Sequence, residues 1–216
     1  MVNNQVKIDG NKFYNAFAKG AEKVIEKRKL LDEINVFPVA DGDTGKNMAL
    51  TLRSIAEKAK PSNSVSAVSR DMAQAALISS RGNSGIILAQ FINGVSKATE
   101  KRDHLRLSEF AQAMKVGANY AYEATSQPVE GTILTVMREW AQSLSELATK
   151  KDDLLETLDH SLEEANKSLR ETRTRLKELR EANVVDAGAK GLVLFLDGIL
   201  TFFRERRPAS FDSLAH

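Results

Sequence analysis

The chain has 216 residues, 42% hydrophobic and 28% charged, with 4 Pro, 12 Gly and no Cys. This is globular composition and excludes a disordered, collagenous or disulfide-stapled chain. Thirty-one Lys and Arg against 29 Asp and Glu leave a formal charge of +2, so no whole-molecule field draws the protein to nucleic acid or to a membrane, and recognition has to be local.

A chain of this size buries roughly 70% of its extended surface on folding, enough for one full core, and a single domain over residues 1–216 is expected. The lack of Cys removes thiolate zinc sites and a Cys nucleophile, and suits a reducing cytoplasm. The N-terminus from Met1 to Lys12 is polar, and the most apolar stretch, Leu192 to Phe203, is interrupted by Asp197 and Gly198. Neither a secretory signal nor a membrane span is read, so the chain is expected to be soluble and cytoplasmic.

Between Pro38, Pro61, Pro128 and Pro208 the long segments are rich in Ala, Leu, Glu, Lys and Arg, which favour helix. Apolar residues from Phe13 to Leu31 recur near helical spacing, predicting a helix over Asn11–Ile34. Further helices are predicted over Lys46–Lys58, Ser69–Leu77, Ser84–Thr99, Leu107–Ala124, Thr132–Ala148 and Asp152–Glu181. In the last of these Leu155, Leu158, Leu162, Ala165, Leu169, Thr172, Leu176 and Leu179 alternate steps of three and four. No similar seam continues elsewhere, so one wall of a helical bundle is favoured over a coiled coil. Strand evidence is confined to Val184-Val185 and Leu192–Leu196, and the latter equally suits a buried helix.

Seven of the 12 glycines fall in four short clusters, Gly42/Gly45, Gly82/Gly85, Gly131 and Gly188/Gly191, each where one helical pattern gives way to the next. Four such corners can meet at one end of a bundle. In the first, Asp41 and Asp43 flank one glycine and Asn35 stands just upstream; their hard oxygens suit Mg²⁺ rather than a soft metal. An Asx-turn that N-caps the following helix explains the two Asp residues equally well. An EF-hand starting at Asp41 would need Gly and Glu where Lys46 and Leu52 stand, and a P-loop would need Gly at Ala40 and Ser or Thr at Asn47; both are excluded.

The second corner, Ser79-Ser-Arg-Gly82-Asn83-Ser84-Gly85, opens an apolar helix. Bare amides there, beside hydroxyl and carboxamide groups, can cradle phosphate, although a plain Asn or Ser cap is the competing reading. The third and fourth corners, Pro128-Val-Glu-Gly131-Thr132 and Val184-Val-Asp186-Ala-Gly188-Ala-Lys-Gly191, each set small residues and an oxygen side chain before an apolar helix. His104, His160 and His216 lie far from all four corners in sequence, which leaves a His nucleophile or base without support. Trp140 and the scattered Phe residues read as core, not as a stacking platform for nucleic acid.

Taken together, Asn35-Val-Phe-Pro-Val-Ala-Asp-Gly-Asp-Thr-Gly-Lys-Asn-Met48, Arg81-Gly-Asn-Ser-Gly85, Pro128-Val-Glu-Gly-Thr-Ile-Leu134 and Val184-Val-Asp-Ala-Gly-Ala-Lys-Gly191 resemble the nucleotide-binding domain of fatty acid kinase A. That domain belongs to the DhaL family, named for the ATP- or ADP-binding subunit of dihydroxyacetone kinase. The resemblance implies an all-α antiparallel bundle or barrel of about eight helices, with ATP or ADP and two Mg²⁺ held in loops at one end. By motif position it implies Asp41, Asp43 and Asn35 as metal ligands, with Thr44, Gly45, Asn47, Gly82, Asn83, Ser84, Gly131, Thr132, Asp186 and Gly188 on the nucleotide. The sequence departs from the family pattern at Ala40, where Pro is usual, at Lys46, where Thr is usual, and at Ala189, where Gly is common; none of these removes an implied ligand.

Members with the Asn-Val-Phe-Pro pattern are normally longer, so the resemblance implies the N-terminal part of a larger protein, with a DegV-type fatty-acid-binding protein or fused domain as partner. The implied reaction is transfer of phosphate from ATP to the carboxylate of a fatty acid delivered by that partner, with little turnover by these 216 residues alone. Dihydroxyacetone or another small hydroxylated acceptor is the alternative within kinases, and a nucleotide-binding regulatory module without turnover is the alternative outside them. A homodimer is compatible with either.

Overall fold

In a computed structural model residues 7–205 are described, and ten helices and one two-residue strand pair account for their regular structure. The long helices are α1 (Gly10–Glu26), α3 (Thr44–Lys58), α4 (Val65–Ser79), α5 (Gly82–Ala98), α6 (Leu107–Glu123), α7 (Ile133–Lys150), α8 (Leu154–Arg175) and α10 (Ala187–Glu205). Two short helices, α2 (Arg28–Glu33) and α9 (Lys177–Ala182), follow α1 and α8. Each long helix packs on the next in this order, and α10 closes onto α1, so the eight form a ring that runs alternately up and down. This is the all-α antiparallel barrel implied by the motifs.

Most of the predicted helices are present with shifted ends. The helix expected over Asn11–Ile34 is broken at Lys27 into α1 and α2, and the one over Asp152–Glu181 is broken at Leu176 into α8 and α9. Leu192–Leu196 lies inside α10, so its apolar run is a buried helix face and not a strand. The seam of α8 does form a wall: Leu158, Ala165, Leu169 and Thr172 are buried, while Leu155 is exposed and Leu154 takes the inward place. One element had no signal in the sequence, the antiparallel pair of β1 (Ile8–Asp9) with β2 (His104–Leu105).

Two of the helix pairs touch backbone to backbone. A Cβ on Gly198 of α10 would lie 2.5 Å from the Cα of Gly20 in α1, and one on Gly94 of α5 would lie 2.8 Å from the Cα of Gly117 in α6. Inside the ring Phe17 meets Phe195 edge to face at 5.2 Å, and Phe91 tilts against Trp140 at 6.3 Å, which places Trp140 in the core. Among the described residues no helix is long and apolar enough to cross a membrane.

The alternation sends the first turns of α1, α4, α6 and α8 to one end of the barrel and those of α3, α5, α7 and α10 to the other. At the first end each helix is capped locally. Asp9 accepts from Lys12 N at 2.8 Å, Ser64 from Ala67 N at 3.4 Å and Asp153 from Glu156 N at 2.9 Å, while the Glu109 carboxylate accepts from Arg106 N at 2.9 Å. At the second end the four glycine corners come together.

Candidate functional site

The corners touch through the glycines themselves. Gly82 adopts φ +58, open to glycine at little cost, and a Cβ there would sit 2.5 Å from Asn47 Nδ2, so the first and second corners are in contact. A Cβ on Gly188 would lie 3.1 Å from Ser84 Oγ, 3.3 Å from Asp186 Oδ2 and 3.4 Å from Ile133 Cβ, which joins the second, third and fourth corners. They enclose a cavity of about 570 Å³, the size of a small-molecule site.

Asn35, Asp41, Asp43, Thr44 and Asn47 line one side of this cavity, Gly82, Asn83 and Ser84 its middle, and Thr132, Asp186 and Gly188 the far side. Gly45 and Gly131, expected on the ligand, do not line it. Gly45 is buried where α3 packs on α2, so that a Cβ would strike the Arg28 carbonyl. Gly131 turns the chain at φ +85 with its α-carbon facing the Cβ of Arg175, which a Gly131 side chain would approach to 2.8 Å. Both glycines shape the corners from behind. Lining residues that the sequence did not mark are Phe37, Pro38 and Val39 on one loop, Thr125, Ser126, Gln127 and Val129 on another, and the apolar Ile87, Ile133 and Leu134.

Asn35 is 5% exposed and spans its loop: Nδ2 donates to the Val39 carbonyl at 2.9 Å and Oδ1 accepts from Thr44 N at 3.0 Å. It therefore braces the loop from within, with one backbone donor already on its oxygen. Asp32 adds a second brace, accepting from Lys46 N at 3.0 Å. Asp43 precedes α3, yet its side chain makes no capping bond. Neither Asp41 nor Asp43 has a side-chain hydrogen bond or ion pair among the described residues. The Asx-cap reading of this corner is thus not what the structure contains.

The plain-cap reading of the second corner fails likewise. Asn83 and Ser84 lie within the first turn of α5, and Arg81 before it makes no side-chain capping bond. Among the described residues the N–H groups of Gly82, Asn83 and Ser84 have no acceptor. A helix start in that condition attracts anions through its open donors and its dipole.

Asp186 is 5% exposed. Its Oδ2 accepts from Ala189 N at 2.8 Å and from Ile133 N at 3.1 Å, tying the starts of α10 and α7 together, and its own N–H donates to Thr172 Oγ1 at 3.0 Å. Burial pushes its carboxyl up to about 6, against which the two backbone donors pull. Just before α7 Glu130 is held by both terminal nitrogens of Arg138, at 2.7 and 2.8 Å, and by Thr135 Oγ1 at 2.7 Å. Arg138 in turn lies 5.7 Å from the centroid of the Tyr122 ring. Hydrogen bonding from Arg138 draws the Glu130 carboxyl down to about 2.

Fold and site together define a closed barrel of antiparallel helices that carries one polar cavity where four helices begin. The DAK2 domain model matches residues 38–201, and the chain belongs to that family. It is 40% identical over 196 residues to an uncharacterized protein of Staphylococcus saprophyticus, covering 90% of this chain and 36% of that one. It is 38% identical over 195 residues to protein YloV of Bacillus subtilis, covering 89% and 35%. The chain thus spans about a third of the length of these relatives. Among solved structures it matches the dihydroxyacetone kinase of C. freundii in complex with AMP-PNP and Mg²⁺, with a TM-score of 0.67, 17% identity, and 87% of this chain and 33% of that one covered. The native form of the same kinase gives a TM-score of 0.69 over 93% and 36% of the two chains. At that identity the likeness is one of fold.

Proposed function

We propose that the cavity binds ATP or ADP with two Mg²⁺ and that the chain is the nucleotide-binding part of a DhaL-type kinase. The observation that carries this reading is the pairing, on one cavity, of three open N–H groups in the first turn of α5 with the two unpartnered carboxylates of Asp41 and Asp43. Such a donor set fits a polyphosphate and hard cations. It is supported by membership of the DAK2 family and by a fold neighbour crystallised with AMP-PNP and Mg²⁺. Mg²⁺, when bound, neutralises charge on the transferring phosphoryl group. In this reading Asp41 and Asp43 hold the cations, while Asn35 keeps their loop in place. Thr44, Asn47, Gly82, Asn83 and Ser84 receive the phosphates, and Thr132, Asp186 and Gly188 receive the remainder of the nucleotide.

The acceptor we assign is the carboxylate of a fatty acid, already nucleophilic, so that the protein's task reduces to positioning and charge neutralisation. The motif resemblance supports this acceptor, and delivery by a DegV-type protein or domain is consistent with relatives about two and a half times as long. A small hydroxylated acceptor is the second reading, favoured by the C. freundii fold neighbour. Titration calorimetry with Mg-ATP tests the site; no binding would remove it. Acyl phosphate formed from ATP and fatty acid only when a DegV-type protein is added supports the first acceptor. Phosphorylation of dihydroxyacetone instead would overturn it, and nucleotide binding without turnover in either assay would leave a regulatory module.

A further inference from the structure

The wall that Thr125, Ser126, Gln127 and Val129 give the cavity is the loop between α6 and α7, and hydrogen bonds hold it at few points. It leaves α6 at Thr125, whose N–H donates to the Tyr122 carbonyl at 3.1 Å and whose hydroxyl donates to the Ala121 carbonyl at 2.9 Å. It rejoins the barrel at Gly131, whose N–H donates to Thr135 Oγ1 at 2.9 Å. Residues 126–130 between these points are exposed. Among the described residues Ser126 and Gln127 make no hydrogen bond, and the Val129 carbonyl accepts one only from Thr132 Oγ1 of the same loop, at 2.8 Å. Glu130 alone, among the described residues, bonds this stretch to a helix.

That bond fixes direction as well as distance. The two terminal nitrogens of Arg138 meet the two oxygens of Glu130 side by side, which sets the plane of the carboxylate, and Thr135, buried in α7, donates to one of the same oxygens. Arg138 also rests against the Tyr122 ring in the last turn of α6. One guanidinium therefore touches both the helix that leads into the loop and the residue that closes it. Neither Arg138 nor Glu130 lines the cavity, so neither meets a ligand there, and a pair about half exposed on both sides contributes little to the stability of the fold. What the pair holds is the wall. We propose that Arg138 is a positioning residue for nucleotide binding: through Glu130 and Tyr122 it keeps the loop over residues 125–130 in the place the ligand needs. The inference rests on the nucleotide reading above. With Arg138 in place the loop is ordered before the ligand arrives; without it the ligand has to order the loop itself, which weakens affinity and quickens release.

The test measures Mg-ADP affinity by calorimetry and Mg-ADP release by surface plasmon resonance, with thermal melts alongside, for the unaltered chain, Arg138→Met, Arg138→Lys, Glu130→Gln and the double variant of Arg138→Met with Glu130→Gln. Arg138→Met should bind roughly tenfold more weakly, the scale of ordering one residue's backbone, with the loss in faster release and the melting temperature little changed. The double variant should bind no more weakly than Arg138→Met, because either change alone already frees the loop. Arg138→Lys should recover part of the affinity, since an ammonium keeps the charge but not the fork. Affinity equal to that of the unaltered chain in both Arg138→Met and Glu130→Gln overturns the inference and leaves the nucleotide site standing. So do losses that add in the double variant, and so does an affinity loss that follows a fall in melting temperature. If Arg138→Met does not fold, Glu130→Gln decides the point, being an exposed change of almost equal volume. No Mg-ADP binding by the unaltered chain removes the nucleotide reading and this inference together.

Discussion

The two ends of the barrel treat the same structural problem in opposite ways. Every helix start leaves N–H groups without intrahelical partners. At the end where α1, α4, α6 and α8 begin, Asp9, Ser64, Glu109 and Asp153 satisfy those groups from the immediate sequence. At the other end α3, α5 and α7 begin with no capping bond from the side chain before them. Asn35, Asp32 and Asp186 reach in from elsewhere to satisfy some donors, α10 alone at this end has a local cap, with Asp186 accepting from Ala189 N, and the first turn of α5 is left open. Acidic side chains differ in the same sense, Asp9 and Asp153 being spent on caps while Asp41 and Asp43 remain unpaired. The difference teaches that a functional end can be recognised by the caps it lacks.

The sharpest way to break this contrast is to remove a free carboxylate. Asp41→Ala or Asp43→Ala should abolish Mg-ATP binding, a loss of several kcal/mol on the scale of a divalent site, with the melting temperature unchanged because neither side chain has a structural partner; calorimetry beside thermal melts checks both halves. Gly82→Val should come next. It forces a branched side chain into φ +58 against Asn47, so stability should fall by about 1 to 3 kcal/mol and nucleotide affinity with it. Normal affinity in that variant would make the corner purely structural.

The converse experiment is at the capped end, where Asp153→Ala should cost about 1 kcal/mol in urea melts and leave Mg-ATP affinity as it was. Asp186 gives a pH test. Its folded carboxyl, at about 6, holds a proton more tightly than the ordinary value of 3.8, so raising the pH between those values costs the folded state stability. Asp186→Asn escapes that cost, and its stability relative to the unaltered chain should therefore rise across the window and level off above it.

The smallest effect is expected at Glu130. Its carboxyl, lowered to about 2 from 4.5, stabilises the fold fully above 4.5 and loses that contribution as the pH falls through 2. The pair with Arg138 is about half exposed on both sides, so Glu130→Gln should cost less than about 1 kcal/mol at neutral pH, and the deficit should vanish in acid.

The helices were legible because Leu, Ala and charged residues alternate with a period that the barrel then buries, as Leu158, Ala165 and Leu169 show. The corners were legible because glycine clusters mark where chains cross closely, and Gly82 and Gly188 do sit between corners. What stayed hidden depends on contacts distant in sequence. The break at Leu176 places that residue 3.4 Å from a Cβ on Gly131, a tertiary contact with no local signature. The β1 and β2 pair joins residues almost a hundred positions apart through backbone alone. The wall formed by Thr125, Ser126 and Gln127 has no distinctive chemistry; the one clue was its place just before an uncapped helix. Asn35 was legible as a member of the first corner but not as its brace, since burial of its amide is a property of the folded loop.

An even ring of alternating helices also decides where a handle can be attached. Ile8 pairs with Leu105, between α5 and α6, and Arg204 near the end of α10 bonds Asp159 near the start of α8. Residues 7 and 205 therefore lie at the same end of the barrel, a full helix length from the cavity. A fluorophore, a surface tether or a fused reporter joined at either point would leave the mouth unobstructed, so the molecule can be immobilised by that end with the cavity turned to solution.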